Sequence, residues 1–193
     1  MSCGHKKDGE NCVCDIVREI VAVQDEVVDK GGCCVTSCER SIRDLLSPTT
    51  NGNGPVATTI PFILYCKGDC DAFIPSGVFQ APIGGSGMNA FQCVETPIVR
   101  AKKFTDEDEC CVKLELLLPV TEGGSTPGPG GDNVCDFFPG EEGNAIRDLQ
   151  ATGICLTVDL DCFCGIQCLD PVTPLPVSEF LNGNGGKGKG KSK

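Results

Sequence analysis

Residues 11–30 carry Val13, Ile16, Val17, Ile20, Val23 and Val27 at i, i+3, i+4 and i+7 spacing, which predicts an amphipathic helix. Arg18, Glu19, Asp25 and Glu26 take its other faces, and Gly31-Gly32 stops it, since glycine readily adopts the backbone that follows a helix end. A second, shorter helix is expected over residues 38–46, closed by Ser47-Pro48.

From residue 49 the period changes. Residues 51–55 read as a loop. Residues 60–66 are apolar and β-prone, and Phe73-Ile74 returns after the turn Lys-Gly-Asp-Cys at 67–70, which together predict a hairpin. Residues 80–89 are glycine-rich and read as irregular. Residues 97–104 and 110–120 predict two strands joined by the acidic turn 105–109. In the second of these, Val112, Leu114, Leu116, Leu118 and Val120 share one face while Lys113 and Glu115 take the other, the mark of a half-buried strand. Residues 122–133 form a low-complexity loop, and 135–138 read as a short strand. The clearest alternation sets Ile154, Leu156, Val158, Leu160 and Cys162 against Cys155, Thr157, Asp159 and Asp161. The pattern predicts a mostly β protein, a single small sandwich or barrel-like domain with an N-terminal helical arm. Its expected parts are a cysteine-rich arm at 1–48, a β domain at 49–169 and a flexible Pro/Gly/Lys-rich tail at 170–193.

Composition narrows the chemistry. The chain has 193 residues, 40% hydrophobic and 22% charged, which is globular rather than disordered. Its net charge is −11, but residues 182–193 hold four lysines and no acid, so the rest carries 12 basic and 27 acidic residues, a net of −15. Such a body repels phosphate backbones, and aromatics at 5% offer few platforms for stacked bases, so no nucleic-acid partner is expected. No apolar run is long enough to span a bilayer, and residues 1–30 lack a basic segment followed by an apolar core, so neither membrane insertion nor a secretory signal is expected.

The strongest anomaly is sixteen cysteines against one histidine. Three uses compete. The pairs Cys34/Cys38, Cys66/Cys70 and Cys164/Cys168 have a spacing found in zinc sites, but they form no paired array, so a cytosolic structural-zinc interaction module stands as the alternative reading. Internal disulfides are a second use, although a chain of this length builds a core without a full set of staples. The third is bonding between chains. In the doublets Cys33-Cys34 and Cys110-Cys111, neighbouring residues sit too close to bond to each other, so each member seeks a separate partner. Cys12 and Cys14 point to different sides of the first helix or its start, while Cys162 and Cys164, two apart on a strand, face one side. The cross-linking or structural candidates are Cys3, Cys12, Cys14, Cys33, Cys34, Cys38, Cys66, Cys70, Cys110, Cys111, Cys155, Cys162, Cys164 and Cys168. Cys93 and Cys135 are expected to be small buried hydrophobes.

No catalytic constellation competes with these readings. Cys3 and His5 lack an orienting third group. The acids at 106–109 read as a solvated turn rather than a cation loop. The Gly/Lys pattern at 185–192 matches a phosphate loop in letters only, with no helix to follow. The expectation is a protein without catalytic residues, metal or cofactor.

The stretch 155–169, CLTVDLDCFCGIQCL, resembles the signature of the bacterial spore coat protein Y/Z family, which includes CotY, CotZ and the exosporium protein ExsY. Pro61-Phe62-Ile63-Leu64-Tyr65, followed by Ala72-Phe73-Ile74-Pro75, is similar to the family's other block. The resemblance covers residues 10–169. It implies a non-enzymatic protein of the endospore outer layers, coat or exosporium, made in the mother-cell cytoplasm. It also implies self-assembly into a two-dimensional lattice, of six-membered rings, locked by intermolecular disulfides, with other coat or exosporium proteins as partners. Cys155, Cys162, Cys164 and Cys168 carry over as structural or cross-linking positions. The enlarged loop at 126–131 and the extension 170–193 depart from the family pattern.

Overall fold

The strand at 111–121 buries side chains on both of its faces, and this organises the sheet around it. The computed structural model describes residues 36–46, 57–82, 88–105, 111–126, 131–140 and 143–181, and the expected helix at 11–30 lies outside them. Strands β1 (Phe62–Cys66), β4 (Val99–Phe104), β5 (Cys111–Thr121), β6 (Ile146–Asp159) and β7 (Phe163–Cys168) form a five-stranded antiparallel sheet in the order β6-β5-β4-β1-β7. Strands β2 (Ser76–Pro82) and β3 (Asn89–Glu95) form a separate two-stranded sheet. The mostly β expectation holds.

Strand β5 departs from the half-buried reading. Val112, Leu114 and Leu116 are buried as expected, but so are Glu115, Leu117 and Pro119. The β5–β6 register breaks between Glu115 and Leu117, where Gly153 on β6 adopts a left-handed φ of 73°. Such a bulge turns consecutive side chains into different environments. Leu116 joins a cluster with Leu64, Val99, Val112 and Leu114, whereas Leu117 joins Ile98, Leu149 and Ala151. The two clusters cover opposite sides of the strand, so alternation alone undercounts its buried residues.

The β2–β3 hairpin covers the first cluster. Val94 packs against it, and Gly77 lies so close that a Cβ there would stand 2.6 Å from Ile154 Cγ2 and 2.9 Å from Leu116 Cδ1. Residues 80–82, expected to be irregular, are the end of β2, paired with β3 from Pro82↔Asn89 to Ser76↔Glu95. The hairpin expected at 60–74 is short: Tyr65 bridges Ala72, and the Cys66 and Phe73 N–H groups donate to Asp71 O and Leu64 O, both at 2.8 Å, while β1 pairs along its length with β7. Residues 134–137 form a 3-10 turn rather than a strand, with the Asp136 carboxylate accepting from the Asn133 N–H at 3.3 Å. The alternation of Ile154, Leu156 and Val158 is inward as expected, but β6 ends at Asp159, and residues 160–162 are a second 3-10 turn.

Polar groups inside the sheet are satisfied. Glu115 is 1% exposed, yet Arg100 on β4 reaches its Oε2 at 2.8 Å, Lys102 at 3.1 Å, and the Gly153 N–H donates to Oε1 at 3.0 Å. Burial pushes the pKa of this carboxyl up, but the Arg100 and Gly153 hydrogen bonds and Lys102 overcome that and hold it below the ordinary carboxylate range. Thr96 and Thr152 hydroxyls donate to the carbonyls of Leu117 and Leu116, at 2.7 and 2.8 Å.

The stretch after β7, expected as flexible tail, packs against the sheet up to residue 181. Val172 bridges Thr59, and Leu175 pairs in parallel with Gln150 on β6. The buried Gln150 amide donates to Pro176 O at 2.9 Å. Helix α2 (Val177–Leu181) follows, with Val177 on the second core cluster and the Phe180 ring 4.7 Å from Phe79.

Candidate cysteine sites

Helix α1 (Cys38–Leu46) begins at Ser37, whose hydroxyl accepts from the Arg40 N–H at 3.1 Å, as an N-terminal cap does. The cap sets the helix so that Cys38 bonds to Cys168 on β7, with a Cα separation of 4.8 Å across 130 residues of sequence. One turn on, the buried Ser41 hydroxyl donates to Leu169 O at 2.9 Å. Cys168 is therefore half of an internal staple between the second helix of the sequence and the signature block. An open cleft of about 270 Å³ lies beside it, lined by Phe138, Leu149, Gln167 and Leu169 among others.

The opposite end of β7 gathers four more cysteines. Strand β1 ends at Cys66, and the chain turns through residues 67–70. The Cys70 N–H donates to Cys66 O at 3.1 Å, and Cys66 N–H to Asp71 O at 2.8 Å. Cys70 adopts a left-handed φ of 60°, unusual outside glycine. The Lys67 N–H donates to Cys162 O at 2.7 Å, which ties this turn to the 3-10 turn before β7. On β7, Cys164 Sγ stands 3.2 Å from Cys66 O and 3.1 Å from Cys70 Sγ. Cys66 is half-buried, and the other three are exposed.

The electrostatics of this corner disfavour the thiolates of Cys66 and Cys164. Burial, followed by the charges of Asp69, Asp71 and Cys162, pushes Cys66 above the ordinary thiol value. The hydrogen bond with Cys70, then burial and the Cys70 charge, push Cys164 up as well. Since the thiolate is the nucleophile, both react slowly near neutral pH. Among the described residues, no group of three or more His, Cys, Asp and Glu is arranged to hold a metal ion.

The remaining thiols are scattered. Cys93 and Cys135, expected inside, are exposed. Cys93 sits on the outer face of the β2–β3 hairpin, opposite the exposed Val78, and Cys135 lies in the 3-10 turn at 134–137. Cys93 sits on a hairpin the sequence pattern had not placed, and Cys135 on a turn it had read as a strand. Cys155 is exposed on β6, and Cys111 is half-buried at the start of β5, opposite Asp159. Cys162 closes a 3-10 turn while Cys164 lies on β7, so the single strand expected to carry both is interrupted. Cys3, Cys12, Cys14, Cys33, Cys34 and Cys110 lie outside the described residues. The Cys38–Cys168 bond and the Cys70–Cys164 contact had no signal in the spacing, because each joins segments about a hundred residues apart through sheet register.

Among the described residues, no helix is long and apolar enough to cross a membrane. The family model described as Spore coat protein Z matches residues 1–171. Spore coat protein Z of Bacillus subtilis (strain 168) is 26% identical over 161 residues, 83% of this chain and 90% of that protein. No solved structure matches. With that family's pattern running through most of its length, and through both ends of the β7 cysteine system, the chain belongs to the spore coat protein Z family, a family of structural proteins of the spore coat layers rather than of enzymes.

Proposed function

We propose that this protein is a building unit that assembles with copies of itself into a two-dimensional lattice in the outer spore layers, which disulfides between copies then fasten. The observation that carries this reading is the distribution of exposed thiols. Cys93, Cys135, Cys155 and Cys162 sit on four separate elements, so one chain offers bonding positions toward more than one neighbour. A closed internal framework would instead pair its cysteines beneath the surface. Strand β7, paired with β1 alone among the described strands, supplies an edge at which another chain can add. Lattice growth needs more than one kind of contact, and a ring-closing contact, with six copies implied by the family resemblance, combines with a second contact between rings.

In this reading, the reducing mother cell keeps the thiols from forming disulfides while weak contacts set the register, and later oxidation locks it. Of an arm at 1–48, a β domain at 49–169 and a tail at 170–193, helix α1 and residues 170–181 would then belong to the unit's body, since they are tied to β7 and packed on β6. Other coat or exosporium proteins are the expected further partners.

The test is electron microscopy of the purified, reduced protein, followed by non-reducing gels after oxidation. Ordered sheets or rings, and ladders that collapse with reductant, are expected. A dispersed monomer whose band ignores oxidant overturns the reading.

A further inference from the structure

The corner formed by the 67–70 turn and β7 brings two thiols, distant in sequence, almost to bonding distance. We propose that Cys70 and Cys164 are an intrachain disulfide site, closed by a low-molecular-weight disulfide and reopened by thiols, which fastens the turn to the edge strand β7.

The two sulfurs lie 3.1 Å apart. A disulfide needs about 2.05 Å, so closure takes a movement of roughly 1 Å. Both side chains are exposed, so side-chain rotation supplies that movement without disturbing the core. The backbone beneath is already fixed by the bonds from Cys70 to Cys66, from Lys67 to Cys162, and by the β1–β7 pairing. Two other cysteines share the corner, but the hydrogen bonds of Cys66 and Cys162 there run through backbone groups rather than sulfur. The left-handed backbone at Cys70 is a costly conformation for a residue with a Cβ, and a bond to β7 would hold it in place.

The chemistry balances with a disulfide oxidant, RSSR. One thiolate of the pair attacks RSSR, giving a mixed disulfide and releasing RS⁻. The second thiolate attacks the protein sulfur of that mixed disulfide, forming the Cys70–Cys164 bond and releasing a second RS⁻. The two protons leaving the cysteines end on the two released thiolates, so two protein thiols are oxidised and one RSSR is reduced to two RSH. The raised affinity of Cys164 for its proton makes the reaction slow at neutral pH and faster in alkali.

This inference goes beyond cross-linking between copies, because a private bond removes two exposed thiols from those a neighbour can engage. It is tested by treating the reduced full-length protein with oxidised glutathione, quenching with an alkylating agent and assigning bonded pairs by peptide mass spectrometry. A Cys70–Cys164 linked peptide is expected, forming at a rate independent of protein concentration. The bond should persist in Cys66→Ser and Cys162→Ser, while Cys164→Ser should leave Cys70 as a glutathione mixed disulfide. Pairing of Cys164 with Cys66, Cys162 or a second chain, or alkylation of both Cys70 and Cys164 after oxidation, overturns it. Because dilution abolishes ladders but not an internal bond, failure here is separable from failure of the lattice reading.

Discussion

Replacing Cys38 and Cys168 together with alanine tests whether that bond serves the fold or the envelope. The bond closes a loop spanning 130 residues of sequence. The chain-entropy relation gives about 5 kcal/mol of stability for a loop of roughly that length, an upper figure because unfolded chains keep residual structure. Helix α1 has nine residues with Ser41 as its buried member, so it has little packing of its own. Isolated helices shorter than about 12 residues are marginal in water, so α1 should melt once its tether goes. Urea unfolding of dilute protein, with exposed thiols alkylated beforehand in the folded state, measures the loss. With a urea slope of about 2 kcal/mol per molar, the midpoint should fall by up to about 2.5 M. Amide exchange at residues 38–46 should quicken at the same time. Disulfide ladders from the unalkylated variant should persist, since neither cysteine is spare for a neighbour. A midpoint change under about 0.3 M, or ladders that vanish with this pair, would refute the assignment of the bond to the interior of one chain.

Two further substitutions probe the sheet. Glu115→Ala should cost about 3 kcal/mol, because it leaves Arg100 and Lys102 beside a buried gap, and thermal unfolding reads it. In the parent protein, the Glu115 carboxyl has a folded-state value below its unfolded one, so its contribution is complete above the unfolded value and fades as pH falls through the folded one. The variant should therefore lose less stability on acidification than the parent, and an unchanged acid slope would contradict the ion-pair account. Gly77→Val should destabilise by roughly 1–3 kcal/mol through crowding of Ile154 and Leu116, measured by the same unfolding, with Gly77→Ala milder.

Strand β5 and the second half of β6 are legible in the sequence because each carries its own alternation, a local signal that pairing only reinforces. The helix at 38–46 is legible for the same reason, through its proline stop. Strands β2 and β3 are not, since Gly77 and the prolines at 75 and 82 resemble loop chemistry and the glycine is demanded by a contact with Ile154. The second buried face of β5 is hidden too, because it depends on a bulge opposite Gly153. Cysteine spacing marks where thiols are but not what they face. Cys168 meets Cys38, and Cys164 meets Cys70, only because β7 lies at the sheet edge beside β1. Exposure of Cys93 and Cys135 likewise follows from elements defined by distant partners.

Strand β6 draws part of its cover from residues that the family pattern does not describe. That pattern ends at residue 171, whereas Val172, Leu175 and Val177 lie beyond it and seal Leu149, Gln150 and Ala151. Where the family match stops, the architecture goes on for another ten residues to Leu181. A relative ending at the boundary must roof these positions by other means, so swapping C-terminal segments between relatives would exchange pieces of the interior and not merely trailing ends.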